Sequence, residues 1–194
     1  GRGGRFTYVA ADMYRMPFKS GVFDGVSVIR VLHHIADVPL AFRSVRRVIT
    51  PNGTFILEYA NKRHVKSMLR WWLKKQDWNP SDLDPVEFVE LNFDFHPAYI
   101  ERELEAVGFT TERRLPVSYF RLEGLKRVVP TNVLAGLDGL AQTSGLLYSP
   151  SVFTQNHAVG DSPRQLDITD VFACPLCGGD LSRDGDTLRC THDS

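Results

Sequence analysis

The chain has 194 residues, 43% hydrophobic and 24% charged, enough for one domain of ordinary size with a small appendage. Lys plus Arg and Asp plus Glu both total 23, so no basic excess draws the chain to nucleic acid or to an acidic membrane, and a nucleic-acid partner is not expected. No apolar run reaches the roughly 18–20 residues that a bilayer span needs, so no membrane span is expected. The start, Gly1-Arg2-Gly3-Gly4-Arg5, has no initiator Met and no signal-peptide apolar region. The expected compartment is the cytoplasm, and the chain is expected to be a fragment of a longer one.

In chain order, Phe6 to Ala11 is an apolar run that predicts a short buried strand, with Asp12 just beyond it. Met16 to Gly21 reads as a loop, punctuated by Pro17 and Gly21. Phe23 to Ile29 predicts a second strand, and Val26, Val28 and Ile29 suit a sheet covered on both faces. Arg30 and a Leu32-His33-His34 turn follow. Two strands that deliver polar residues at their carboxyl ends are how open α/β sheets build a ligand crevice. Pro39 suits a first helical turn, and Ala41, Val45, Val48 and Ile49 form one apolar stripe. Pro51-Asn52-Gly53 is expected to stop that helix, and Thr54 to Tyr59 to start a further strand. The order strand, strand, helix, strand predicts a parallel α/β sheet.

Lys62 to Lys75 carries six Lys/Arg and no acid, with Val65, Met68, Leu69 and Trp72 as its apolar stripe. The pattern predicts a helix docked on the sheet with its charged face in water. Contact with phosphate or a lipid surface is the alternative. Asn79 to Phe95 is rich in Pro, acids and aromatics. Pro97 opens a helix over Ala98 to Val107, which Gly108 ends. Thr110 to Phe120 predicts a strand interrupted at Pro116. Gly124 to Gln142 predicts a helix with breaks, and Tyr148 to Gln155 a last strand. His157 to Asp170 is polar, with Gly and Pro, and reads as a linker.

All three cysteines lie in the last 21 residues, which is no disulfide framework. Cys174-Pro175-Leu176-Cys177-Gly178-Gly179 places two thiolates three residues apart before a Gly turn, a spacing that grips one tetrahedral metal. Cys190 is a third ligand, and His192 is the nearest candidate for a fourth, since Asp193 stands where a second Cys-x-x-Cys would end. The expected metal is zinc, in a structural and non-catalytic site. The alternative is three reduced thiols in a loose tail.

The series Ala11-Asp12, Met16-Pro17-Phe18, Phe23-Asp24, Val31-Leu32-His33-His34, Arg46-Arg47-Val48 and Pro51-Asn52-Gly53 resembles the class I S-adenosylmethionine-dependent methyltransferases, in their UbiE-like small-molecule branch. The resemblance covers residues 6 to 60 well, and Pro97 to Gln155 as the last helix and closing antiparallel hairpin of that fold. It implies an α/β, Rossmann-like methyltransferase sheet lacking its first strands, with a short zinc-ribbon-like tail. The implied division is a partial methyltransferase domain over 1–156, a linker over 157–171 and a truncated zinc-ribbon segment over 172–194. The tail resembles the small zinc-ribbon proteins that activate methyltransferases.

The resemblance also implies roles. Asp12 would accept a hydrogen bond from the adenine amine of S-adenosylmethionine, and the Met13 N–H would meet the ring edge. Ile29 and Arg30 would lie beside the methionine part. As a bare sequence feature, Asp12 reads rather as a turn-forming residue, and the ordered motif reverses that preference. His33 and His34 are candidates for a general base, or for packing and hydrogen bonding. The family's glycine loop and its ribose-binding acid do not occur in these residues, so this chain by itself is expected to bind the cofactor weakly.

Two functions follow. One is methyl transfer to a small-molecule acceptor, under a cover spanning Lys62 to Asn92. Its Trp71, Trp72, Trp78, Phe88 and Phe93 either suit an apolar substrate or pack the cover onto the sheet. The other is a non-catalytic methyltransferase-like binding module that recruits a partner through its zinc ribbon.

Overall fold

The computed structural model describes residues 7–120, 129–160 and 171–192. Its centre is one four-stranded sheet. Strand β1 (Phe23–Val28) runs parallel to β2 (Ile49–Ala60), joined by helix α1 (Val38–Val48). Beyond β2 lie β6 (Ser151–Ala158) and then β5 (Phe109–Val117), both pairings antiparallel, giving the order β1-β2-β6-β5. The sheet is therefore mixed, with a parallel pair at one side and an antiparallel hairpin closing the other.

Local chemistry explains the crossover. The Asp37 carboxylate caps α1 by accepting from Leu40 N–H, and Pro39 fills a position whose N–H needs no partner. Val38, Ala41, Phe42, Val45 and Val48 are buried on one face, each large aliphatic side chain contributing about 1.5–3 kcal/mol. Phe55, Leu57 and Tyr59 of β2 alternate inward with them, and Ile100, Leu104 and Phe109 complete the core. Helix α3 (Pro97–Ala106), capped by His96 and opened by Pro97 as expected, covers part of that face.

Four expectations fail at the level of elements. Residues 7 to 11 form no strand, and Tyr8 is 92% exposed. A strand requires a ladder partner, and no described strand lies beside them; Phe6 itself lies outside the described residues. Pro51-Asn52-Gly53 does not stop α1, which ends at Val48, so Ile49 joins β2 rather than the helical stripe. These residues instead bulge β2. Phe23 pairs with Ile49 but Gly25 pairs with Thr54, and Asn52 takes a positive φ of 60°. Pro116 does not interrupt β5, where it pairs with Val152. On an edge strand, proline's missing N–H costs no ladder bond.

The fourth failure is the basic helix. Helix α2 (Val65–Trp72) forms, but its apolar stripe faces solvent, and Ser67 is its one buried residue. Val65, Met68, Leu69 and Trp72 are all exposed, Trp72 to 77%. Two elements were not foreseen at all. These are strands β3 (Val86–Val89) and β4 (Asn92–Asp94), an antiparallel hairpin after α2. Helix α4 (Thr131–Thr143) forms the later part of the expected 124–142 helix and runs one residue past it; residues 124–128 lie outside the described residues.

β6 lies later than expected and includes His157 and Ala158, where a linker was expected; residues 161–170 lie outside the description. The tail holds a hairpin of β7 (Leu181–Asp184) and β8 (Thr187–Cys190). Among the described residues, no helix is long and apolar enough to cross a membrane.

Candidate active site and metal centre

The polar residues gather where β1 and β2 end. Asp12 caps a single 3-10 turn, Met13–Arg15, by accepting from Tyr14 N–H at 2.9 Å. Tyr14 ties that turn to α1, since its hydroxyl accepts from Asp37 N–H at 3.1 Å and its carbonyl from Ser44 Oγ at 2.8 Å. Met13 packs against the core. The Asp12 turn is thus fixed on the flank of the helix that follows β1. Asp12 is exposed, with its carboxylate able to take a further donor.

Ile29 and Arg30 leave β1 exposed. Arg30 takes a left-handed φ of 58°, and its N–H donates to Glu58 Oε2 at 2.8 Å. The other oxygen of Glu58 accepts from Ser151 Oγ. Glu58 on β2 therefore pins the turn after β1 and the start of β6 with one carboxylate. Sequence reasoning missed it. Its only signal is an acid within an otherwise apolar strand, Phe55 to Tyr59.

The two histidines divide. Their rings lie 3.9 Å apart. His34 Nδ1 bonds the Leu91 carbonyl at 2.9 Å, anchoring the β3–β4 hairpin. For His33, burial lowers the pKa, with His34 and Arg30 adding to that shift and Glu58 opposing it. His33 is thus held neutral at pH 7, in the form that accepts a proton.

The cover continues from β2. Asn61 is buried and donates to the Leu147 and Ser149 carbonyls, while its own oxygen accepts from Arg63 N–H. Buried Lys62 donates to the Asp84 carbonyl at 2.6 Å. His64 then caps α2, accepting from Ser67 N–H. A cleft of about 680 Å³ opens between α2 and the hairpin, lined by His64, Ser67, Arg70, Gln76, Trp78 and Asp94, among others. Burial pushes the Asp94 carboxyl up to about 6, against the opposing charge of Lys62. A second hollow, of about 410 Å³, is lined by Val65, Leu69, Tyr119, Tyr148 and Pro150, with His64 and Lys66. Of the five cover aromatics, Phe93 packs on the core and Trp78 is half-buried, whereas Trp71, Trp72 and Phe88 are exposed. Packing of the cover onto the sheet therefore explains only part of that aromatic content.

In the tail, the Sγ atoms of Cys174, Cys177 and Cys190 lie within 4.8 Å of one another. Cys174 O accepts from Gly178 N–H and Cys174 N–H donates to Gly179 O, closing a tight knuckle. The Gly179 and His192 N–H groups point at the Cys177 and Cys190 sulfurs, each at 3.4 Å. Backbone donors from Cys177 and Leu176 pull the Cys174 thiol below its usual range. A Cβ at Gly179 would stand 2.3 Å from His192 Nδ1 and 3.3 Å from Cys177 Sγ, so only glycine lets the ring come so near. The three thiols form the cluster, and the His192 ring stands beside it.

With this geometry in view, the chain can be set against known proteins. A family model described as a methyltransferase domain matches residues 1–57. The malonyl-[acyl-carrier protein] O-methyltransferase of Legionella pneumophila is 24% identical over 134 residues, covering 65% of this chain and 45% of that protein. An S-adenosylmethionine-dependent methyltransferase from Mesorhizobium loti is similar in structure, with 14% identity, a TM-score of 0.49 and coverage of 81% and 71%. A methyltransferase from Archaeoglobus fulgidus gives 16% identity, a TM-score of 0.45 and coverage of 81% and 69%. The chain spans about half the length of the curated relative it matches. The family match agrees with the class I S-adenosylmethionine-dependent reading of the sequence.

Proposed function

We propose that the chain serves in a class I methyltransferase that moves the methyl group of S-adenosylmethionine to a small-molecule acceptor. The observation that carries this reading is the ordered motif from Asp12 to Gly53, set on a parallel β-α-β unit whose turns meet at one end. Asp12 takes the adenine amine and Met13 N–H the ring edge. Ile29 and Arg30 flank the methionine part, with Arg30 held by Glu58. The acceptor enters the hollow on the other side of α2, where Leu69, Tyr119 and Tyr148 suit an apolar body.

The chemistry is one displacement. S-adenosylmethionine, held by Asp12, Met13, Ile29 and Arg30, would supply an activated methyl group with a neutral thioether as its leaving group. Positioning and water exclusion supply most of the rate. An acceptor hydroxyl must also lose a proton. His33, held in its neutral form, can accept that proton, and His34, with Nδ1 on the Leu91 carbonyl, keeps Nε2 free for the same task.

Labelled S-adenosylmethionine offered to the whole protein tests the reading. Asp12→Ala should raise the KM for the methyl donor by roughly tenfold, the loss of one charge-assisted hydrogen bond. An unchanged donor KM would remove Asp12 from the site. Calorimetry on the 194-residue chain should show affinity weaker than micromolar, since the glycine-loop contacts are not among its residues.

The tail thiolates suit a structural zinc ion, with His192, whose ring stands outside the thiol cluster, as the candidate fourth ligand. Fit is supported by the three gathered sulfurs and the N–H groups aimed at two of them. Thiol ligands also fit a reducing, cytoplasmic setting. Protein purified without chelator should carry one zinc per chain, and Cys177→Ser should lose it.

A further inference from the structure

The tail is no free appendage. Lys19 N–H donates to the Val171 carbonyl at 2.9 Å, and Ala173 N–H donates to the Pro17 carbonyl at 3.0 Å. Phe18 and Phe172 form an antiparallel bridge between these two bonds, with their rings stacked at 5.8 Å. Phe18 also sets its ring edge-on to Phe23, the first residue of β1, at 5.0 Å. Lys19 Nζ reaches Asp180 in the tail at 3.3 Å. From the other side, the Arg47 guanidinium of α1 donates to the Met16 and Phe18 carbonyls. Met16 to Lys19 is thus held between α1 and the tail, and it is the segment that leads directly out of the Asp12 turn.

The metal ligands adjoin this contact. Cys174 follows Ala173 without a spacer, and both are buried, whereas Pro175 to Gly178 are exposed. The rest of the tail is the two-stranded hairpin β7–β8, with every residue from Ser182 to Arg189 exposed. Such a hairpin has little stability of its own. What joins Cys174 to Cys190 on β8 is the thiol cluster and the short knuckle around it.

We infer that the Cys174–Cys177–Cys190 metal site is a clasp. Metal binding fixes the tail segment Val171–Ala173 against Met16–Lys19 and so orders the Asp12 turn. The coupling is reciprocal, because a ligand that prefers the docked form must itself bind more weakly when docking is impaired. The inference rests on the metal reading above and is independent of methyl transfer.

Amide hydrogen exchange on the whole chain, with equimolar zinc and with excess chelator, tests it directly. Zinc should slow exchange at Lys19 and Ala173 about tenfold or more, and also slow it at Tyr14 and Arg15. Zinc that binds and protects Gly178 and Thr191 while leaving Lys19 unchanged would overturn the clasp. Phe172→Ala, which alters no ligand, gives a second reading. Competition with a chromophoric chelator should show its zinc affinity reduced about tenfold. An affinity equal to that of the unaltered chain would overturn the coupling. Failure of the unaltered chain to bind zinc would remove the clasp and the metal site together, leaving the methyl-donor assignment standing.

Discussion

At the scale of single residues, three carboxyl and imidazole groups set the behaviour of the site. Glu58 receives Arg30 N–H and Ser151 Oγ on its two oxygens. Glu58→Gln turns one of those acceptors into a donor, and should cost about 1–2 kcal/mol in urea unfolding. The same change removes the charge that raises the His33 pKa, so His33 should titrate lower still by NMR. His34→Ala should move it the other way. Asp94 gives a pH signature. Its folded pKa of about 6 lies above the ordinary carboxyl value, so the native state binds more protons than the unfolded chain between about pH 4 and 6. Stability from this group is therefore lost as pH rises through that window and is level above it. Asp94→Asn should flatten the trend and stabilise the chain at pH 8 by about 2 kcal/mol, read as the shift in unfolding midpoint.

At the scale of elements, legibility follows from whether the signal is local. Helices α1 and α3 were readable from Pro39, Pro97 and their apolar stripes, because caps and periodicity act over a few residues. β1 and β2 were readable from their apolar content. Residues 7 to 11 look like a strand and are not one, since a strand is made by its neighbour and sequence cannot supply that neighbour. The β3–β4 hairpin was hidden because Glu87, Phe88 and Glu90 mask any alternation, and its anchor, His34 to Leu91, spans 57 residues. Asp12, Arg30 and the three thiols were visible as motifs, whereas Glu58 acts through contacts 28 and 93 residues away. The bulge in β2 is tested at Gly53, where a Cβ would meet Ile49 Cγ1 at 2.7 Å and Thr50 O at 2.9 Å. Gly53→Ala should lower stability by about 1–3 kcal/mol in the same assay. Trp72→Ala, on the exposed face of α2, should change it by less than about 0.5 kcal/mol.

At the scale of the molecule, one helix and one short tail converge on the segment between Asp12 and β1. Arg47 and the tail grip its end, Tyr14 binds its turn to α1, and Glu58 fixes the far side of the crevice. On the clasp proposal, zinc added to the metal-free protein should raise the thermal midpoint of the whole domain by several degrees, and not only tighten the hairpin, a difference calorimetry resolves. The sheet order carries a separate consequence, in time. β6, the last strand of the sheet in the chain, lies in its middle, between β2 and β5. Until residues 151 to 158 leave the ribosome, β5 has no ladder partner among the described residues and the inner edge of β2 stays open. Two of the three described pairings in this sheet thus wait for β6 and should form late, with chaperones meeting Phe55 and Phe109 before β6 does.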